Sequence, residues 1–383
     1  MERAPDKRIP LCKPFLPKRS LAYLADTLES GAMGGDGPHG AWCEDFIRER
    51  IGAAMALLTN SASSALDIAC ALAGLAPGDE VVMSSFTFAS TASAVVKTGA
   101  TPVFVDIDPA TLDLDVDACE AAITERTRAI IAVHYAGQSR DIEALAALAD
   151  ARSIRLIEDA AQAFDSRKSG RALGTFGALA AFSFQQSKNL AVGEGGALIV
   201  NDARLVERAR HLRDKGTDRH EMQVGAKPFY SWVEIGAGCQ MPEPLAALLR
   251  GQLEQADFIT AQRGRLWRRY HRNLRAMKIP LSLRQTKIEE ESGSNYHLFH
   301  VICDDASTRA PLMNYLSERG ISSAFHFIPL HSSPAGARYG RTVGALPVTD
   351  SVSAGLLRLP LFVGLTEGDV DHICETIGDF FAT

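Results

Sequence analysis

Between residues 55 and 200 the chain alternates short apolar runs with longer stretches whose apolar residues recur at helical spacing. The runs 55–58, 80–83, 102–105, 128–133 and 154–158 predict strands, and 63–74, 88–98, 115–123 and 140–151 predict helices. Such alternation predicts a mostly parallel sheet covered by helices on both faces. In sheets of that kind ligands bind beyond the carboxyl ends of the strands. Two further apolar strands, 179–182 and 197–200, flank a polar turn carrying Lys188 and the loop Gly193-Glu194-Gly195-Gly196. Upstream, 20–30 has helical spacing and stops at Gly31, and a second helix is expected over about 41–50. Between them, Gly34-Gly35-Asp36-Gly37-Pro38 is too glycine-rich to be regular. Downstream, 216–238 is irregular and aromatic, and a long helical pattern covers about 243–274. Strand 298–302, helix 306–318, strand 323–328 and a last helix near 367–381 complete the pattern. The expected organisation is a large α/β domain, residues 1–250, and a smaller α+β domain, residues 251–383.

Composition narrows the function classes. A chain of 383 residues is long for one core. Its net charge of −6, with no basic stripe interleaved with aromatics, argues against nucleic acid as a partner. The 7 cysteines are scattered and form no CxxC pair, so neither a zinc site nor a disulfide framework is indicated, and a reducing, cytoplasmic setting is expected. Residues 1–8 lack the apolar core of a signal peptide. No apolar run approaches the ~20 residues of a membrane span.

Four stretches can carry chemistry. Thr59-Asn60-Ser61-Ala62-Ser63-Ser64 follows an apolar strand and opens an amphipathic helix. Its free N–H groups and the positive helix end suit a phosphate, although a plain N-cap by Ser61 or Ser63 explains the same residues. Glu158 and Asp159 end a strand and are followed by Ala160 and Ala161. A carboxylate there can pair with a buried cation, and alanines let a flat ring lie against the backbone; a solvated acidic turn is the plainer reading. Phe88, in Ser84-Ser85-Phe86-Thr87-Phe88, is either core or a stacking face. Lys188, delivered by a buried strand, would lose proton affinity among apolar neighbours, which suits Schiff-base chemistry. An anion hole, an acid, an aromatic face and a lysine at neighbouring strand ends are together what pyridoxal phosphate requires.

The chain resembles the DegT/StrS family of sugar aminotransferases, which have the aspartate-aminotransferase fold (pyridoxal-phosphate fold type I). The resemblance runs from about residue 10 to 381. It is carried by Pro77-Gly78-Asp79-Glu80-Val81-Val82, Gly99-Ala100-Thr101-Pro102-Val103-Phe104-Val105-Asp106, Glu158-Asp159-Ala160-Ala161-Gln162, and Phe182-Ser183-Phe184 followed by Lys188 and Gly193-Glu194-Gly195-Gly196. Within the family, Val133-His134-Tyr135-Ala136-Gly137, Arg171-Ala172-Leu173-Gly174-Thr175, Lys215-Gly216-Thr217 and Phe325-His326-Phe327-Ile328-Pro329-Leu330-His331 are most similar to the branch that forms dTDP-4-amino-4,6-dideoxygalactose.

Position by position, the resemblance implies Lys188 as the Schiff-base lysine and Asp159 as partner of the pyridine nitrogen. It implies Gln162 near the ring hydroxyl, Ala161 and Phe88 on the two ring faces, Ala62, Ser63 and Ser183 at the phosphate, and His331 in the sugar pocket. It further implies L-glutamate as amino donor, a dTDP-4-keto-6-deoxyhexose as acceptor, and a homodimer with active sites between subunits. An asparagine that many members carry to reach the partner subunit's phosphate aligns with Gly238. Two relatives in chemistry are disfavoured: a sugar dehydratase of this fold has histidine in place of Lys188, and a nucleotide-dependent oxidoreductase would need GxGxxG after its first strand. Amination at another position, such as C3 of a 3-keto sugar, is the nearest alternative.

Overall fold

The computed structural model describes residues 8–277, 283–285 and 293–382. Fourteen strands occur among them. They are β1 (Met55–Thr59), β2 (Glu80–Ser84), β3 (Thr101–Val105), β4 (Thr127–Val133), β5 (Arg155–Asp159), β6 (Arg167–Lys168), β7 (Arg171–Ala172), β8 (Leu179–Ser183), β9 (Gly196–Val200), β10 (Leu283–Gln285), β11 (Phe299–Cys303), β12 (Ala324–Phe325), β13 (Arg341–Thr342) and β14 (Leu356–Leu359). Eight of them build one sheet in the order β1-β9-β8-β5-β4-β2-β3-β13, in which only β9 runs against its neighbours.

Period-two alternation explains why this sheet is covered on both sides. Leu58, Val82, Ile130, Leu156 and Phe182 face one apolar layer with Cys43, Ile47, Ile142 and Leu249 from helices Pro38–Ile51, Ile142–Ala151 and Glu243–Leu253. The intervening Leu57, Val81, Met83, Ile131, Ile157 and Ala181 face the other, with Leu66, Ala69 and Val95 from helices Ala62–Leu72 and Ala89–Lys97.

A second sheet, ordered β10-β11-β14-β12, belongs to the C-terminal part. Phe299, Val301, Cys303, Leu357 and Leu359 turn one of its faces toward Trp267 and Tyr270 of helix Ala256–Ala276 and Ile373 and Ile377 of helix Glu367–Ala382. The alternate positions Ile302 and Leu356, with Leu298, turn the opposite way. They join Phe86, Tyr135 and Ala136, which stand at the strand ends of the large sheet. The two sheets therefore meet over the carboxyl ends of β2 and β4.

Two expectations from the pattern change. The long helical pattern at 243–274 is two helices, Glu243–Leu253 and Ala256–Ala276, separated at Glu254–Gln255. Apolar spacing continues across that break, so periodicity does not reveal it. The expected strand 323–328 is regular only at Ala324–Phe325, where it pairs with β14. Among the described residues, no helix is long and apolar enough to cross a membrane.

Candidate active site

A cavity of about 480 Å³ lies where the two sheets meet. It is lined by Ala62, Ser63, Phe88, Asp159, Ala161, Gln162, Ser183 and Lys188, which are the eight residues assigned to the cofactor from the sequence.

Lys188 follows β8 on a loop closed by main-chain bonds. Phe184 N–H donates to Gly195 O, Gln186 N–H to Gly193 O, and Lys188 N–H to Gln185 O at 2.8 Å. The side chain is half-buried, and its amine is pushed down to about 8. Loss of hydration is the main cause; the negative charge of Asp159 opposes it and the positive charge of Arg358 adds to it. Roughly a tenth of the amine is thus unprotonated at pH 7, far more than for a lysine in water, and that is the form able to attack a carbonyl carbon.

Adjacent carboxylates on β5 point to opposite faces. Asp159 turns to the cavity, where its Oδ2 accepts from Thr91 Oγ1 at 2.7 Å and its Oδ1 from Ala161 N–H at 3.2 Å. Thr91 is itself in contact with Thr87 Oγ1 at 3.0 Å. Glu158, fully buried, turns inward and accepts from His134 Nε2 at 2.7 Å, Gly174 N–H at 2.7 Å and Gly177 N–H at 2.6 Å. Neither carboxylate is a solvated turn residue, and the two have separate work.

Helix Ala62–Leu72 begins at the cavity. Ser61 caps it by accepting from Ser64 N–H at 3.1 Å, which leaves the first N–H groups, at Ala62 and Ser63, without intrahelical acceptors. β9 passes directly over this end. A Cβ on Gly196 would stand 2.4 Å from Ala62 N, so only glycine lets the strand come so close. The side-chain oxygen of Gln162 accepts from Ala136 N–H at 2.7 Å. That bond orients the amide and leaves its –NH2 to face a ligand oxygen.

The two phenylalanines after β2 part company. Phe86 is core and meets Tyr135 and Phe327 edge-on. Phe88 is 63% exposed at the rim of the cavity, an apolar ring with an open face. His331 is not among the cavity-lining residues. It sits in the loop after β12, its Nδ1 2.8 Å from Ser85 Oγ and its Nε2 3.4 Å from Asp350. Gly238 is exposed and has room for a Cβ, the nearest atom being Lys215 Cε at 3.5 Å. The nearby Gln240 is already committed within its own chain, accepting from Lys215 Nζ at 3.1 Å and donating to Asp36 at 3.0 Å.

Sequence reasoning missed the opposite wall. It carries Arg263, His297, His326 and Arg358. Burial pushes the His297 imidazole well below its ordinary value, helped by the charge of Lys188, and lowers His326 to about 2. Both are neutral at physiological pH. The only signal for Arg358 in the sequence was a single charge inside the apolar run Leu356-Leu357-Arg358-Leu359.

The residues present fit pyridoxal phosphate: a helix end crossed by a glycine for the phosphate, a buried carboxylate for the ring nitrogen, and an amine of lowered basicity for the aldehyde. Fold and site together define a pyridoxal-phosphate aminotransferase of fold type I. The chain belongs to the DegT/DnrJ/EryC1/StrS aminotransferase family, whose profile matches residues 15–378. It is 37% identical over 321 residues to a pleiotropic regulatory protein of Geobacillus stearothermophilus, covering 83% of each chain. It is 30% identical over 379 residues to the GDP-perosamine synthase of Escherichia coli O157:H7, covering 98% of this chain and 99% of that one. A Streptococcus pneumoniae protein classed as a sugar aminotransferase and solved in its PLP form superposes with a TM-score of 0.90 at 25% identity, covering 98% of this chain and 99% of the other. The cofactor is pyridoxal phosphate.

Proposed function

We propose that the enzyme moves an amino group from L-glutamate to C4 of dTDP-4-dehydro-6-deoxy-D-glucose, giving a dTDP-4-amino-4,6-dideoxyhexose. The observation that carries an aminotransfer reading is one amine of lowered basicity, Lys188, sharing a cavity with a buried carboxylate, Asp159. A nucleotide-linked sugar as acceptor is supported by the relative named GDP-perosamine synthase. The dTDP nucleotide and the C4 position rest on the segments around His134, Arg171, Lys215 and His326.

Bound pyridoxal phosphate supplies an aldehyde and an electron-accepting ring, which let the donor's Cα–H bond ionise. With the cofactor bound, Lys188 would be the group that takes up and returns the donor Cα proton, acting as base and then as acid. Asp159, fixed by Thr91, keeps the ring nitrogen protonated. The start of helix 62–72 and Ser183 hold the phosphate. Gln162 donates to the ring hydroxyl oxygen, and Ala161 and Phe88 cover the ring faces. His331 is assigned to the sugar side of the site by family resemblance. The neutral His297 and His326 leave the donor side free of competing positive charge from imidazolium. Donor and acceptor use the cavity in turn, so kinetics should be ping-pong.

We assign residues 1–250 to the cofactor domain and 251–383 to the smaller one. A homodimer with sites between subunits is supported by Phe229, Trp232 and Ile235, which are 81%, 74% and 84% exposed in one stretch. The deciding experiment incubates the enzyme with L-glutamate and either dTDP-4-dehydro-6-deoxy-D-glucose or its GDP counterpart, and reads the C4 coupling constants of the product by NMR. A 4-amino product from the dTDP sugar is expected. Amination only of the GDP sugar, or only of a 3-keto sugar, would reassign the acceptor.

A further inference from the structure

His297 lies two residues before β11 and lines the cavity. The chain around it is clamped from two sides. Arg263 Nε donates to Tyr296 O at 3.0 Å, and Arg263 Nη2 to His297 O. Asn295 N–H donates to Ser166 Oγ at 3.0 Å, and Asn295 Nδ2 to Gln162 O at 2.8 Å and Phe164 O at 2.9 Å. The segment that enters β11 is thus tied to the turn that leaves β5, and the imidazole is delivered to a fixed place.

Its tautomer follows from the bond behind it. Asn189 Nδ2 donates to Asn295 O at 2.8 Å, so the amide oxygen Oδ1 is the atom turned to the ring. His297 Nδ1 stands 3.0 Å from that oxygen. An amide oxygen only accepts, so Nδ1 carries the ring proton. Burial and the charge of Lys188 keep the ring neutral, and a neutral imidazole protonated at Nδ1 has a bare lone pair on Nε2. Among the described residues no donor reaches that Nε2. His134 differs: its Nε2 is taken by Glu158 and its Nδ1 is enclosed.

We propose that His297 Nε2 accepts a hydrogen bond from the sugar hydroxyl on the carbon next to the one being aminated, which makes His297 a specificity-determining residue for the acceptor; this rests on the nucleotide-sugar reading above. The chemistry of the ligands selects that group. An atom that can only accept offers nothing to a carboxylate or a phosphate. L-Glutamate carries its N–H donors on the nitrogen that it gives up. In a 4-keto-6-deoxyhexose the reacting C4 has two neighbours: C5 bears a methyl group and the ring oxygen, and C3 bears a hydroxyl. Lys188 must reach the reacting carbon, and its charge is the one felt most strongly at His297. The hydroxyl one bond from C4 is therefore the donor that comes within reach of Nε2. Once the sugar expels water from the cavity, an unmet lone pair is costly, and the C3 hydroxyl removes that cost.

The test compares the acceptor with its 3-deoxy counterpart on the holoenzyme. The wild-type kcat/KM should favour dTDP-4-dehydro-6-deoxy-D-glucose over dTDP-4-dehydro-3,6-dideoxy-D-glucose by roughly 10- to 100-fold, the range expected when a buried acceptor loses its donor. In His297→Asn, which keeps an N–H for Asn189 and removes Nε2, that ratio should fall to within about threefold. His297→Gln, whose amide oxygen can stand near the place of Nε2, should restore part of it. A packing role alone would lower both sugars alike and leave the ratio unmoved. A readout independent of turnover is equilibrium binding of the two 4-amino products, which should differ in the wild type and lose that difference in His297→Asn. The wild-type ratio needs no variant to fold, and a value near one would overturn the assignment. So would a ratio that neither variant moves, while amination itself would uphold the acceptor reading. If only the GDP sugars are aminated, the nucleotide is reassigned and the ratio between the GDP pair decides. If no sugar of either nucleotide is aminated, the acceptor reading and this assignment fall together.

Discussion

One cavity has two walls built on different principles. The large-sheet wall takes its residues from strand ends and the turns that follow: Ala62 and Ser63 after β1, Phe88 after β2, Asp159 at the end of β5 with Ala161 and Gln162 beyond it, Ser183 at the end of β8 with Lys188 beyond it. The small-sheet wall takes Arg358 from the middle of a strand and Arg263 from the middle of a helix, with His297 and His326 beside them. Turn residues there are freed from packing, so each can be chosen for chemistry. Residues inside an element must satisfy its pattern as well, and an arginine turned to the cavity shows itself only as an interruption. The first wall carries the residues that fit the cofactor, and the second carries two arginines and two histidines.

The largest expected effect breaks the first wall at its centre. Lys188→Ala should abolish turnover and the visible band of the bound cofactor, and a variant with substantial aminotransfer would remove the basis for the site. Next, the neighbouring carboxylates should separate function from stability. Asp159→Asn keeps the shape and should lower kcat by roughly 100-fold or more, with little change in urea midpoint. Glu158→Gln sets an amide N–H against one of three buried donors and should cost about 2–4 kcal/mol of stability in urea titrations. If both substitutions chiefly damaged stability, the division of labour on β5 would be wrong.

A smaller effect concerns pH. The Lys188 amine sits at about 8, against 10.5 for a lysine in water. Between those values the unfolded chain binds a proton that the folded chain does not, so this group adds stability as pH rises through that window. Below it the folded state bears the whole penalty. In cofactor-free protein, Lys188→Met should therefore stabilise by roughly 1–3 kcal/mol at pH 7, an advantage that fades toward pH 10. A gain equal at pH 7 and pH 10 would place the amine in water instead. The smallest expected effect lies at Gly238. With no side chain there, and Gln240 tied to Lys215 and Asp36, the cofactor should leave on dialysis. Cofactor retained through extensive dialysis would mean that another group makes the contact.

The first wall was legible before any coordinates. Its motifs lie within single strand–turn–helix units, where local spacing fixes both the residue types and their place at the strand ends. The break at Glu254–Gln255 was not legible, because helical periodicity runs through it. Nor was the separation of Phe86 from Phe88, which depends on Tyr135 and Phe327 closing over one ring and leaving the other bare.

The amino-acid sequence alone settled the alternating α/β architecture, the family and the cofactor, and it singled out Lys188, since each depends on residues near one another in the chain. Tertiary structure decided which buried polar groups are spent on the fold and which remain for a ligand. His134 and His297 are equivalent as letters, and so nearly are Glu158 and Asp159. What distinguishes them is how many acceptors or donors distant segments bring within hydrogen-bond reach, and that is settled only when two sheets far apart in sequence close on the same cavity.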